Sequence, residues 1–173
     1  MTSALSCPSA PPLPDGVVIG VVRDPGRPRA VTMLRRPLPL LAVAPHVPAG
    51  VPVGEVLRVA APCAEARCAH YTGAACSLAR RVVAELPAVA VRAPPCGLRP
   101  RCRWWAQEGA AACVRCPQVT TEPAAPDAVT RALAVPRPAE WAAPPGLTHA
   151  TTPADPPHPP APAVGGPHRS TPP

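Results

Sequence analysis

The chain has 173 residues, 32 of them proline, with 47% hydrophobic side chains, only 2% aromatic ones and a formal net charge of +7. Proline cannot donate a ladder hydrogen bond and breaks helix interiors, so the composition argues for a folded region smaller than the chain. Much of the apolar content is alanine, so a core built at about 25 cal/mol per Å² would be thin. Thin cores need disulfides, metals or oligomerisation.

Residues 1–15 lack the basic and apolar segments of a secretory signal and are expected to be disordered, with Cys7 an isolated free thiol. No run approaches the ~20 apolar residues needed to span a bilayer. The expected setting is therefore the cytoplasm, where patterned cysteines are more often metal ligands than disulfides.

Residues 16–62 read as a small antiparallel β region. "GVVIGVV" (residues 16–22) is β-branched and apolar, as a strand requires. Asp24-Pro25-Gly26 forms a turn, because Pro25 presets φ and Gly26 accepts a positive one. "AVTMLRR" (residues 30–36) returns as the second strand of a hairpin. "LPLLAVAP" (residues 38–45) is a third extended piece whose prolines confine it to an edge. "GEVLRVAAPC" (residues 54–63) is a strand leading into a cysteine-rich module, residues 63–117.

In that module "SLARRVVAEL" is the clearest helix, with Ser77 as its cap and Leu78, Val82 and Leu86 on one face; Pro87 then ends it. "RCRWWAQEG" is a second short helix stopped by Gly109. From residue 118 to 173 periodicity is lost in low-complexity proline-rich sequence, expected to be disordered. Trp141 is read there as a stray aromatic. The fold class is thus α+β: a metal-stapled module with a short antiparallel sheet and two short helices between disordered termini.

The chemistry lies in two clusters of candidate ligands, Cys63, Cys68, His70 and Cys76, then Cys96, Cys102, Cys113 and Cys116. Each offers the four ligands that a closed structural zinc site takes as Cys₄ or Cys₃His. Cys113-x-x-Cys116 is the most specific pair, since two intervening residues let both sulfurs face one ion. Zinc at two sites is favoured by ligand count and by His70. The alternative is an iron–sulfur cluster, favoured by cysteine excess, although only Cys116-Pro117 matches the ferredoxin run.

The positive charge suggests nucleic acid as a partner. Arg99, Arg101, Arg103 and Arg115 with Trp104 and Trp105 form a candidate single-strand surface, because aromatics stack on bases and cations track the backbone. Yet between Cys63 and Cys116 eight arginines face three glutamates, and seven thiolates with two zinc ions would reduce that surplus of five to about two. Several arginines are thus explained by the thiolates, and the bland role of the tryptophans is to cover the site. No nucleophile elbow, phosphate loop or zinc-deaminase signature occurs. The expected function is a non-enzymatic zinc module acting as an adaptor for a protein partner. The alternatives are an iron–sulfur protein for electron transfer or redox sensing and a single-strand binder.

Overall fold

The computed structural model describes residues 4–23, 31–123 and 125–136. The expected turn at Asp24-Pro25-Gly26, Trp141 and His149, His158 and His168 lie outside the described residues.

The sheet is built on β2 (Val17–Val22), whose run of branched side chains suits a pleated, buried surface. It pairs antiparallel with β3 (Val31–Pro39) and β4 (Leu57–Pro62), and β1 (Ser6–Cys7) adds to the far edge of β4, giving the order β1-β4-β2-β3. Register slips between Val18 and Gly20 against both neighbours: against β4 Ile19 is the extra residue of a bulge, and against β3 residues 34–37 loop out opposite it. Gly20 is required there: a Cβ on it would lie 2.5 Å from Val31 Cγ1 and 3.0 Å from the Thr32 carbonyl oxygen.

Alternation gives the sheet two working faces. Val18, Leu57 and Val59 join Leu40 in a small cluster on one side. On the other, Ile19 and Ala60 meet the helices, packing with Val82, Leu86, Leu98, Trp104 and three cysteines in the main core. Arg58 lies between Leu57 and Val59 and so shares the helical face with Ala60.

Among the described residues five α-helical segments accompany the sheet. α1 (Leu40–Val43) and α2 (Val53–Val56) are single turns. They correct the expected strands at 38–45 and 54–56. Pro39 and Pro52, with φ of −55° and −59°, are their N-caps and direct the chain into a turn. α3 (Ser77–Glu85) is the expected amphipathic helix, with Val82 and Leu86 buried. Its N-cap is Cys76 rather than Ser77, whose hydroxyl donates instead to the His70 carbonyl at 3.0 Å.

α4 (Arg103–Cys113) is divided by Gly109, whose φ of 57° breaks the helical path. The stop read at Gly109 is therefore a kink, after which the helix resumes as far as Cys113. α5 (Ala128–Ala134) was not expected, since residues 118–173 read as disordered. Asp127 caps it by accepting from the Thr130 N–H at 2.7 Å. Leu133 is buried, and the Arg81 guanidinium donates to the carbonyls of Ala132 (2.8 Å), Leu133 (3.2 Å) and Val135 (2.8 Å). Arg81, itself balanced by Glu85 at 2.9 Å, thereby ties α5 to α3. Among the described residues no helix is long and apolar enough to cross a membrane.

Candidate metal centres

Cys76 and Cys102 occupy equivalent places. Each is the extended N-cap of a helix, α3 and α4 respectively. The first N–H groups of each helix, those of Leu78 and Ala79 for Cys76 and of Trp104 and Trp105 for Cys102, favour the thiolate against the larger effect of burial, although neither side chain makes a capping hydrogen bond. A helix start is where free N–H groups and the positive end of the helix dipole favour an anion. The two helices are joined directly at this point. The Gln107 side chain of α4 accepts from the Cys76 N–H at 2.7 Å and donates to the Cys76 carbonyl at 3.0 Å.

The electrostatic neighbours of these two thiols divide all eight cysteines into two sets. Cys63 and Cys68 push up the thiol of Cys76, while Cys76 and Cys63 push up that of Cys7. In the second set Cys116 and Cys113 raise Cys102, and Cys96 raises both Cys113 and Cys116. Burial is the larger cause in every case. It drives Cys7 and Cys102 to about 12 and Cys116 to about 11, from the ordinary 9.0. The sets are Cys7, Cys63, Cys68 and Cys76, and Cys96, Cys102, Cys113 and Cys116.

Cys7 is the member that sequence reasoning missed. It arrives through β1, where Cys7 pairs with Ala61, Ser6 pairs with Pro62, and the Cys63 N–H donates to the Leu5 carbonyl at 2.8 Å. A parallel bridge from Ser6 to Cys102 holds the same strand against the second set. Residues 4–15 are thus engaged by the fold where disorder was expected. The available signal was Cys7-Pro8, the same dipeptide as Cys116-Pro117.

His70 is placed differently. Its carbonyl serves Ser77, and its ring lines a cavity of about 310 Å³ together with Ser9, Gln118, Thr121, Leu133 and Arg131. Burial, then the charge of Arg81, holds the imidazole below its ordinary 6.5, and neither His70 Nδ1 nor Thr121 Oγ1 has a hydrogen-bond partner. None of the cysteine couplings involves His70.

The second set surrounds a space. Cys96, Cys102, Cys113 and Cys116 all line one cavity of about 20 Å³, with Ile19, Met33, Leu98 and Trp104 among its apolar walls. Among the described residues no three His, Cys, Asp or Glu side chains are placed to hold a metal ion. The thiols of each set feel one another without closing on a point.

Three of the four arginines expected to meet a nucleic acid are engaged internally. Arg99 donates to the Pro94 carbonyl at 2.5 Å, stacks over Trp105 at 4.9 Å and hydrogen-bonds Cys113. Arg103 pairs with Glu65, lies over Tyr71 at 5.4 Å and hydrogen-bonds Cys63. Arg115 donates to the carbonyls of Leu86 (2.7 Å) and Ala111 (2.8 Å). Arg101 is exposed, Trp104 is 1% exposed and Trp105 is half-buried. Each thiol set therefore has its own arginine, and the tryptophans cover rather than display.

No family model matches the chain, and neither a curated protein nor a solved structure matches it.

Proposed function

We propose that the protein is a non-enzymatic metal-binding module with two four-thiolate centres, and that each centre holds an iron–sulfur cluster serving electron transfer or redox sensing toward a protein partner. The observation that carries this is that Cys96, Cys102, Cys113 and Cys116 line one cavity, which leaves Cys7, Cys63, Cys68 and Cys76 as the other four cysteines. Four cysteine thiolates are the standard complement of one cluster. With His70 apart from both sets, the imidazole that favoured zinc has no role in the reading.

A Zn–S bond is about 2.3 Å, so a zinc tetrahedron draws its sulfurs together around one atom. The cavity of about 20 Å³ among these thiols is little more than the roughly 10–15 Å³ that admits one water, so loading a cluster would need the four thiols to move apart. Its apolar walls suit a core of iron and sulfide better than water. Backbone N–H groups at the helix starts beside Cys76 and Cys102 are the kind of donors that tune a cluster's potential. Free, these buried thiols stay protonated at neutral pH, unlike the depressed thiols of nucleophilic cysteines.

The second reading, two structural zinc sites, is favoured by the way Cys7 ties β1 to the segment after β4, as a staple would. The deciding experiment is iron, acid-labile sulfide and zinc analysis of protein purified without oxygen. The expected result is a brown protein with two clusters per chain and a visible band that bleaches with dithionite. A colourless protein with two zinc ions per chain selects the second reading. A metal-free protein with eight free thiols overturns both.

A further inference from the structure

No cysteine lines the larger cavity, the one bordered by His70. Its volume of about 310 Å³ sits at the small end of the roughly 300–1,000 Å³ typical of small-molecule sites. One side is apolar, formed by Leu78 of α3, Leu86 at the C-terminal end of that helix and Leu133 of α5. The other side carries hydroxyls, from Ser9, Thr121 and Thr130 among others. An apolar wall faced by a few convergent polar groups is the usual make-up of a ligand site.

Two of the lining side chains are incompletely satisfied. His70 Nδ1 and Thr121 Oγ1 are buried and have no hydrogen-bond partner. A buried polar atom left in that state is costly to the fold, so a ligand that supplies an acceptor is rewarded. Turning the hydroxyl about χ1 and the imidazole about χ2 presents both groups to the cavity that their side chains line.

The charge of the walls has one sign. Among the described lining residues there is one permanent charge, the guanidinium of Arg131, and no carboxylate. Arg131 is exposed on α5, and its Nη1 donates to the neutral Pro126 carbonyl. Asp127, which caps α5 at the Thr130 N–H, does not line the cavity. Arg81, which clamps α5, is already balanced by Glu85 at 2.9 Å.

We infer that this cavity binds a small organic carboxylate with a compact apolar body. The body packs on Leu78, Leu86 and Leu133, and the carboxylate takes the Arg131 guanidinium, whose planar fork matches it, together with the Thr121 hydroxyl. Such a ligand spans α3 and α5 and adds to the hold that Arg81 has on α5. The site is independent of what the thiols hold.

The test is calorimetric titration of the full chain, purified without oxygen, with hexanoate, with its uncharged amide, with acetate and with inorganic phosphate. Hexanoate should bind saturably and more tightly than each of the other three. Arg131→Gln, at an exposed position, should weaken hexanoate by about 10-fold or more and leave the amide unchanged. Thr121→Val removes a hydroxyl without a partner, so Tm should hold or rise while hexanoate binding falls by a similar factor. Absence of saturable binding at millimolar hexanoate overturns the inference. An amide that binds equally well refutes the carboxylate, and acetate or phosphate binding equally well refutes the apolar body. Hexanoate affinity unchanged in Arg131→Gln refutes the anchor, and that variant decides alone should Thr121→Val fail to fold.

Discussion

Cys7→Ser and His70→Ala separate two versions of the first centre. In β1, Ser6 and Cys7 pair with Pro62 and Ala61, and the Leu5 carbonyl accepts from Cys63 at 2.8 Å. At about 0.5–1.5 kcal/mol net per hydrogen bond, this edge contributes only a few kcal/mol, and serine at position 7 leaves every backbone group of it intact. What the substitution removes is one thiolate. A structural metal contributes about 10–16 kcal/mol to a small zinc domain. If only about 3 kcal/mol of that is lost here, Tm falls roughly 6–12 °C at 2–4 °C per kcal/mol. Metal and sulfide per chain, measured without oxygen beside calorimetry, should fall by half in Cys7→Ser and stay complete in His70→Ala. Full loading of Cys7→Ser, or loss of one centre from His70→Ala, would refute the assignment of Cys7 and restore the histidine.

Three further perturbations test the frame around the centres. In the metal-free chain Cys7, Cys102 and Cys116 are raised from 9.0 to about 12, 12 and 11. The folded state therefore holds protons that the unfolded state releases first, and this stability, present below pH 9, should be lost as pH rises through 11 to 12. The loaded protein should do the reverse and lose metal on acidification, because protons compete for thiolate; denaturant midpoints across pH, with and without metal, read both signs, and a loaded protein indifferent to acid contradicts them. Gln107→Ala removes both bonds to the Cys76 peptide and should cost about 1–3 kcal/mol by urea unfolding; an unchanged midpoint means the clasp carries no stability. Gly109→Ala meets no atom within 4 Å, so its cost is backbone strain at φ 57°, ψ −140°, about 1–3 kcal/mol; a stabilised variant would show that the kink is not held in place.

The parts of the fold that were legible are those with a local cause. The valines of β2 and the spacing of Leu78, Val82 and Leu86 in α3 each announce a periodicity, and Gly109 announces a break in α4. The helical turns at Pro39 and Pro52 were not legible, because proline's φ of about −65° serves an edge strand and the entry to a helix equally. α5 was hidden because it is held largely from outside, by the buried Arg81 that caps its carbonyls and by Leu133 against α3. The candidate centres divide along the same line. Cys63, Cys68 and Cys76 are close in sequence, as are Cys113 and Cys116, so their association reads from spacing. Cys7 lies 56 residues before Cys63 and is brought to it by a two-residue strand, a pairing that no local pattern encodes. Arithmetic held the remaining clue. With His70 counted as a ligand, seven cysteines complete two sets of four and the eighth is surplus, whereas without it all eight cysteines are used. The same bridging explains why Arg58 looks ordinary in "VLRVAAPC": its burial arises only when the segment after β1, β4 and the start of α4 converge on it, and a lone cation in an apolar strand is the sequence trace of that convergence.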